Sequence, residues 1–391
     1  MQTLIEPSGR ASHVIFLGVG ASLSSGYPLA RELRLAMTVP EALLGWLQKN
    51  IDEKLSVENV REILFARPEM KNAVELFRDG AFASVDEFCR LANNSLRSEV
   101  LNLKRLMAFV LSVVNPLGSY TRSFYYPFVN QLFEPDSYHL RSDISILTFN
   151  YDPHLEFILS RARRVRWQAF SGDAKYEVLP EVGSGFFRSD IPWDDHLGFC
   201  CLKLHGSIAG IKPENVDVPF ATWTDLFHPS GLQRYSEVWK KTLQAPFIPS
   251  VFPWELFDAN GAFNQKEFVP WDGDVPGVGS FYDLVMRIWK RAKRQIESAT
   301  KVSFVGMSMH HYLHPGLRHL FANKTGPVEL VVANPDAKNL DPDGYRARDY
   351  HSLSSVKRIR AFLSQEAPNM EIRKTSVHLG FEEFILKEIA R

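Results

Sequence analysis

Five short segments of this chain carry residue types that can hold a charged ligand and move a proton. Gly18-Val-Gly20-Ala21-Ser22, continuing to Ser25 and Gly26, follows an apolar run and opens a helical stretch. Glycines there let the backbone approach a phosphate, and the amides of a helix's first turn favour an anion. A plain strand-to-helix turn fits the same residues. The loop is not a G-x-G-x-x-G fingerprint, because Leu23 stands at the third glycine, and no Walker A loop occurs. Thr148-Phe-Asn150-Tyr-Asp152 sets an amide and a carboxylate after a second apolar run, either to orient a ligand or to cap a helix starting at Pro153. Lys203-Leu-His205-Gly206-Ser207 ends a third run with an imidazole, which is a base suited to neutral pH or a structural histidine. Gly306-Met-Ser308 and Asn334-Pro-Asp336 follow two more runs and offer a hydroxyl and an amide for a ribose, or two ordinary turns.

Each segment sits at the end of a run that reads as a buried parallel strand: 13–17, 144–148, 200–204, 302–305 and 328–333. In an open parallel sheet, ligands collect at the carboxyl ends of the strands, so the five ends describe one crevice. The fold class expected is α/β, a Rossmann-like parallel sheet flanked by helices with a large all-helical insertion. Helical periodicity marks 28–37, then 41–48, 57–65, 84–92, 101–114 and 126–132. An amphipathic helix follows at 280–296, with further helices near 354–365 and 381–389. The expected organisation is a sheet domain of residues 1–39 and 141–340, a helical insertion at 40–140 and a C-terminal helical extension at 341–391.

The composition removes several classes. With 45 Lys+Arg against 45 Asp+Glu, there is no global basic footprint, and no direct nucleic-acid binding is expected. At 45% hydrophobic and 23% charged, the chain has the make-up of a folded protein. Cys89, Cys200 and Cys201 are too few for a disulfide framework or a four-thiolate zinc site, so a reduced, cytoplasmic protein without metal is expected. The longest apolar candidate, Leu106 to Val114, is too short to span a membrane, and residues 1–10 lack a signal-peptide core.

Taken in order, the segments resemble the sirtuin family, and within it the zinc-free sirtuin-like branch of bacterial NAD-hydrolysing defence proteins. Gly18 to Ser22 is similar to its G-A-G-A-S loop, Thr148 to Asp152 to T-x-N-Y-D, Lys203 to Ser207 to K-L-H-G-S, and Val305 to Ser308 to V-G-x-S. Ser84-Val-Asp-Glu-Phe88 and Phe247-Ile-Pro-Ser also resemble family elements; Val19 and the His310–His314 stretch depart from it. The resemblance implies NAD as substrate, cleaved to nicotinamide and ADP-ribose. Asn150 would orient water or ribose, His205 would act as base, and Asp152 would hold the nicotinamide amide or support its loop. Gly18, Gly20, Ala21 and Ser22, with Ser25 beside them, would cradle the pyrophosphate. Thr148, Gly306, Ser308 and Asn334 would complete the NAD site. It further implies a homo-oligomer, held off until triggered by phage or by a regulatory partner such as an ATPase or an Argonaute-like protein.

Other readings remain open at this level. A deacylase lacks its zinc ribbon here, and a non-catalytic NAD or ADP-ribose module would need neither Asn150 nor His205. Gly306-Met-Ser308 with Asp336 and His351 or His378 follows the order of a serine hydrolase, but His310 replaces the last glycine of its elbow. His310, His311 and His314 suggest a metal, although Pro315 and the missing carboxylate favour a polar loop. Arg161 to Arg166 reads as a solvated helix end or an acidic-partner site.

Overall fold

A computed structural model of the chain describes residues 11–50, 54–65, 67–80, 82, 84–92, 96–114, 123–152, 199–206, 253–263, 274–275, 279–336 and 354–390, with single helical positions between 154 and 169 and between 236 and 243. Ser207, His351, the 247–250 segment and residues 161, 163 and 164 lie outside the described residues.

Six strands form one sheet: β1 (His13–Leu17), β2 (Ile144–Thr148), β3 (Cys200–Lys203), β4 (Lys301–Val305), β5 (Gly326–Ala333) and β6 (Met370–His378). Their order is β3-β2-β1-β4-β5-β6, and every pair is parallel. This is the order of a doubly wound dinucleotide-binding sheet, whose direction reverses between β1 and β4. The register aligns the strand ends: Leu17 pairs with Thr148 and Val305, Thr148 with Lys203, and Val305 with Ala333. The residues that follow, including Gly18, Asn150, His205 and Gly306, therefore emerge along one edge.

Period-two alternation divides the core. Val14 and Phe16 face a layer built from α10 (Phe281–Ser298), α11 (His314–Phe321) and α12 (Ser355–Glu366). Ile15 and Leu17 face α8 (Tyr125–Asn130) and the C-terminal helix α13 (Phe381–Phe384) with its π-helical continuation at 385–389. In α10, Val285, Ile288, Trp289, Ala292 and Ile296 are buried while Arg287, Lys290 and Arg294 point outward, as its amphipathic spacing predicts. Each such fully buried large apolar side chain contributes about 1.5–3 kcal/mol against the entropy of ordering it.

A separate core forms where the helices of the insertion, α3 (Pro40–Asn50), α4 (Val57–Phe65), α5 (Pro68–Asp79), α6 (Val85–Ala92) and α7 (Arg97–Ser112), pack with α2 (Ala30–Thr38), which precedes it. The sequence signals missed α5, which begins with Pro68 at its first turn. A buried ion pair, Lys104 of α7 with Glu255 of α9 (Pro253–Leu256), joins the insertion to the sheet side at 3.0 Å.

The expectation of a purely helical 341–391 extension is corrected. Between its two helices, β6 adds a sixth strand to the sheet, pairing with β5 across a bulge at Val328/Glu329. As an edge strand rich in polar residues (Glu371, Arg373, Lys374, Thr375, Ser376), it lacks the apolar run that announces a buried strand.

Candidate functional site

Beyond the strand ends a cleft of about 830 Å³, its solvent-open mouth included, lies between the sheet and the helical insertion. Gly18, Asn150, Asp152, His205, Gly306 and Ser308 line it from the sheet side. Leu33, Ser84, Val85, Asp86, Met107 and Leu111 line it from α2, the start of α6 and α7. The insertion thus forms a wall of the cleft.

Asn150 is fixed from both ends. Its backbone amide donates to Thr148 Oγ1 at 3.0 Å, and the Thr148 hydroxyl donates to the Leu17 carbonyl at 3.2 Å. Its Nδ2 reaches the Gly18 carbonyl and Ser22 Oγ at 3.0 Å each, and the Tyr125 hydroxyl at 3.3 Å. Because Nδ2 must donate to the carbonyl, the amide orientation is set. Oδ1 is then left buried without a hydrogen-bond partner. A buried acceptor in that state costs free energy until a donor arrives, so it is a ready site for a hydroxyl or a water.

Asp152 has both oxygens engaged. Oδ2 accepts from Ser22 Oγ at 2.9 Å and Oδ1 from the His154 amide at 3.2 Å, while Lys203 Nζ donates to the Asp152 carbonyl. Within the expected alternatives, Asp152 therefore supports the loop that carries Asn150.

His205 is 3% exposed, and burial holds its pKa down to about 3, with Lys104 adding to the shift; the ring is neutral at pH 7. The Phe149 ring meets it edge-on at 4.8 Å, and Tyr151 lies 5.4 Å away. Trp289 Nε1 of α10 donates to the Leu204 carbonyl at 3.2 Å, holding the turn in place.

In the Gly18 to Ser22 segment, expected to cradle a pyrophosphate, three backbone amides bond the protein itself. The Gly18 amide donates to the Val305 carbonyl, Gly20 to the Gly306 carbonyl and Ala21 to the Gly18 carbonyl, each at 2.9 Å. A Cβ on Gly18 would stand 2.5 Å from the Gly306 carbonyl oxygen, and one on Gly306, whose φ is +62°, would stand 2.3 Å from the Ala21 nitrogen. The contact between the turns after β1 and β4 by itself requires these glycines. Ser22 is fully buried in the Asn150–Asp152 network, and Ser25 bonds Ser123 Oγ at 2.6 Å away from the cleft lining. Thr148 serves the backbone as described. Asn334 does not line the cleft; its Nδ2 donates to the Met307 carbonyl at 3.0 Å and shapes the turn that presents Ser308.

Of the serine-hydrolase set, Ser308 lines the cleft, His351 lies outside the described residues, and Asp336 and His378 are engaged elsewhere. Asp336 accepts from Ser355 and Arg358, and His378 Nε2 bonds Glu388 at 2.7 Å. His310 stacks on Tyr312 at 5.2 Å and His314 packs on Phe362 at 4.8 Å; among the described residues no group of three or more His, Cys, Asp or Glu could hold a metal. Cys200 and Cys201 are buried and outside any disulfide.

One carboxylate lining the cleft was not a sequence candidate. Asp86, 8% exposed at the start of α6, accepts from the Tyr151 hydroxyl at 3.1 Å and places Oδ1 3.9 Å from His205 Nδ1. Burial, with Glu255 nearby, raises its pKa to about 7 against the lowering pull of Tyr151 and Lys104. Its only sequence signal is its place in Ser84–Phe88, the segment quoted above for the family resemblance. No protein-family model matches the chain, and no curated protein matches it either.

Proposed function

We propose that this protein is an NAD glycohydrolase, cleaving NAD to nicotinamide and ADP-ribose. The observation that carries the reading is the pairing, at one cleft, of the orphaned buried Asn150 Oδ1 with the neutral imidazole of His205. NAD presents nicotinamide as a cationic pyridinium that departs neutral, so no general acid is needed, unlike ordinary glycoside hydrolysis with its two carboxylates. What the reaction needs is a positioned water and a group to take its proton. Asn150 Oδ1 supplies an acceptor for water or a ribose hydroxyl, and His205 supplies the base. Among the described lining residues the carboxylates are Asp86 and Asp152, and none is Lys or Arg. Such a cleft favours the cationic nicotinamide-riboside half of the substrate over its phosphates.

Uncontrolled NAD cleavage would exhaust a cell, so the activity proposed is that of a regulated effector in antiviral defence, working as an oligomer and released by a phage trigger or a regulatory partner. Among the described residues no helix is long and apolar enough to cross a membrane.

The test is an NAD-consumption assay on the full chain, with and without candidate triggers. Wild type should release nicotinamide, and Asn150→Ala and His205→Ala should each lower the rate by on the order of 100-fold or more. Undiminished turnover in both variants would overturn the roles assigned. Consumption only with an acyl-lysine peptide would make the protein a deacylase, and calorimetric NAD binding without product would make it a binding module.

A further inference from the structure

We propose that Asp86, carried into the cleft by the helical insertion, is the positioning residue that gives His205 its counter-charge, so that the base is a His–Asp pair assembled across two parts of the fold. The inference rests on the NAD-hydrolase reading and extends it.

The chemistry sets the requirement. As water attacks C1′ of the ribose, the C1′–N bond breaks and its electron pair leaves with neutral nicotinamide, while one water proton passes to the imidazole and then to solvent. The imidazolium so formed is buried, and burial opposes it. A carboxylate beside the ring offsets that cost as the proton arrives, the role an aspartate plays toward a catalytic histidine elsewhere.

Asp86 and Asp152 line the cleft and Glu255 acts on Asp86, and the structure separates the three carboxylates. Asp152 has its oxygens on Ser22 and the His154 amide. Glu255 holds Lys104 with both oxygens, at 3.0 and 3.2 Å. Asp86 faces His205 Nδ1 at 3.9 Å, too long for a hydrogen bond and short enough for strong attraction once the ring is charged. Its Tyr151 bond holds one oxygen in place. The charged and titratable groups around it are Lys104 from α7, Glu255 from α9, Tyr151 after β2, His205 after β3, Tyr312 before α11 and Glu87 on its own helix. With burial dominant, Asp86 loses its proton near pH 7, so the counter-charge is present above that pH and lost below it.

The experiment measures nicotinamide release from NAD by the full-length protein from pH 5 to 9. Asp86→Asn should lower kcat by on the order of 100-fold with KM within about threefold, because the water-activating pair is lost while the cleft keeps its shape. Tyr151→Phe removes a bond that lowers the Asp86 pKa, so the acidic limb of its kcat profile should move to higher pH. This second variant serves if Asp86→Asn does not fold. A kcat within about twofold of wild type for Asp86→Asn, or an unmoved acidic limb for Tyr151→Phe, overturns the proposal, since a purely structural aspartate would alter stability and not the profile. Wild-type protein that releases no nicotinamide at any pH sinks the NAD reading and this inference together. An active wild type indifferent to Asp86→Asn sinks the inference alone.

Discussion

Ser22 shows how a residue's role changes once its partners are known. Its hydroxyl lies between Asp152 Oδ2 at 2.9 Å and Asn150 Nδ2 at 3.0 Å, so it links the supporting carboxylate to the amide that faces the cleft. Ser22→Ala should leave Asp152 Oδ2 short of a donor, cost about 1–3 kcal/mol of stability, and loosen Asn150. A fall in kcat of about tenfold with a folded protein by circular dichroism is the expected result; full activity would show that the Gly18 carbonyl and the Tyr125 hydroxyl suffice to orient the amide. Asn150 and His205 were legible as candidates because polar residues directly after apolar strands are conspicuous. The meaning of Ser22, Ser25 and Asn334 was not, because their partners Asp152, Ser123 and Met307 lie 130, 98 and 27 residues away.

Among the elements, the crossing of the turns after β1 and β4 sets the edge on which the site is built. Gly306 combines a left-handed φ of +62° with a Cβ position 2.3 Å from the Ala21 nitrogen, so neither its conformation nor its space tolerates a side chain. Gly306→Ala is expected to destabilise the protein by about 3 kcal/mol through strain and overpacking together. Differential scanning calorimetry should show a clearly lowered Tm, and an unchanged Tm would mean the turns do not cross as described. Five strands were legible from their apolar runs. The sixth, β6, was not, because an edge strand with one open side can be polar and still be held by the backbone of β5. The helix α6 was legible as a helix, yet its delivery of Asp86 to His205 depends on how the insertion docks.

For the molecule as a whole, burial of neutral histidines predicts acid sensitivity. Burial depresses the pKa of His13 to about 3, His154 to about 4 and His205 to about 3, all below the unfolded value. Between these values and about pH 6.5 the unfolded chain binds protons that the folded chain refuses, so stability is present above that window and lost as the pH falls through it. Each histidine adds a slope of up to about 1.4 kcal/mol per pH unit. Asp86 opposes them, because its raised pKa favours the fold at low pH and that contribution disappears as pH rises through about 7. Urea denaturation at pH 7, 6 and 5 should therefore show falling stability on acidification, and a flat profile would contradict the buried neutral state of the three rings. The sequence by itself determined the α/β class, the parallel strands and the chemical types at their ends, because strand burial and the residues that stop a strand are local properties. Only the tertiary structure decided that the glycines seat one turn on another, that β6 completes the sheet, and that a helical insertion supplies the carboxylate beside His205. Those outcomes depend on contacts between segments far apart in the chain, which no local pattern of residues encodes.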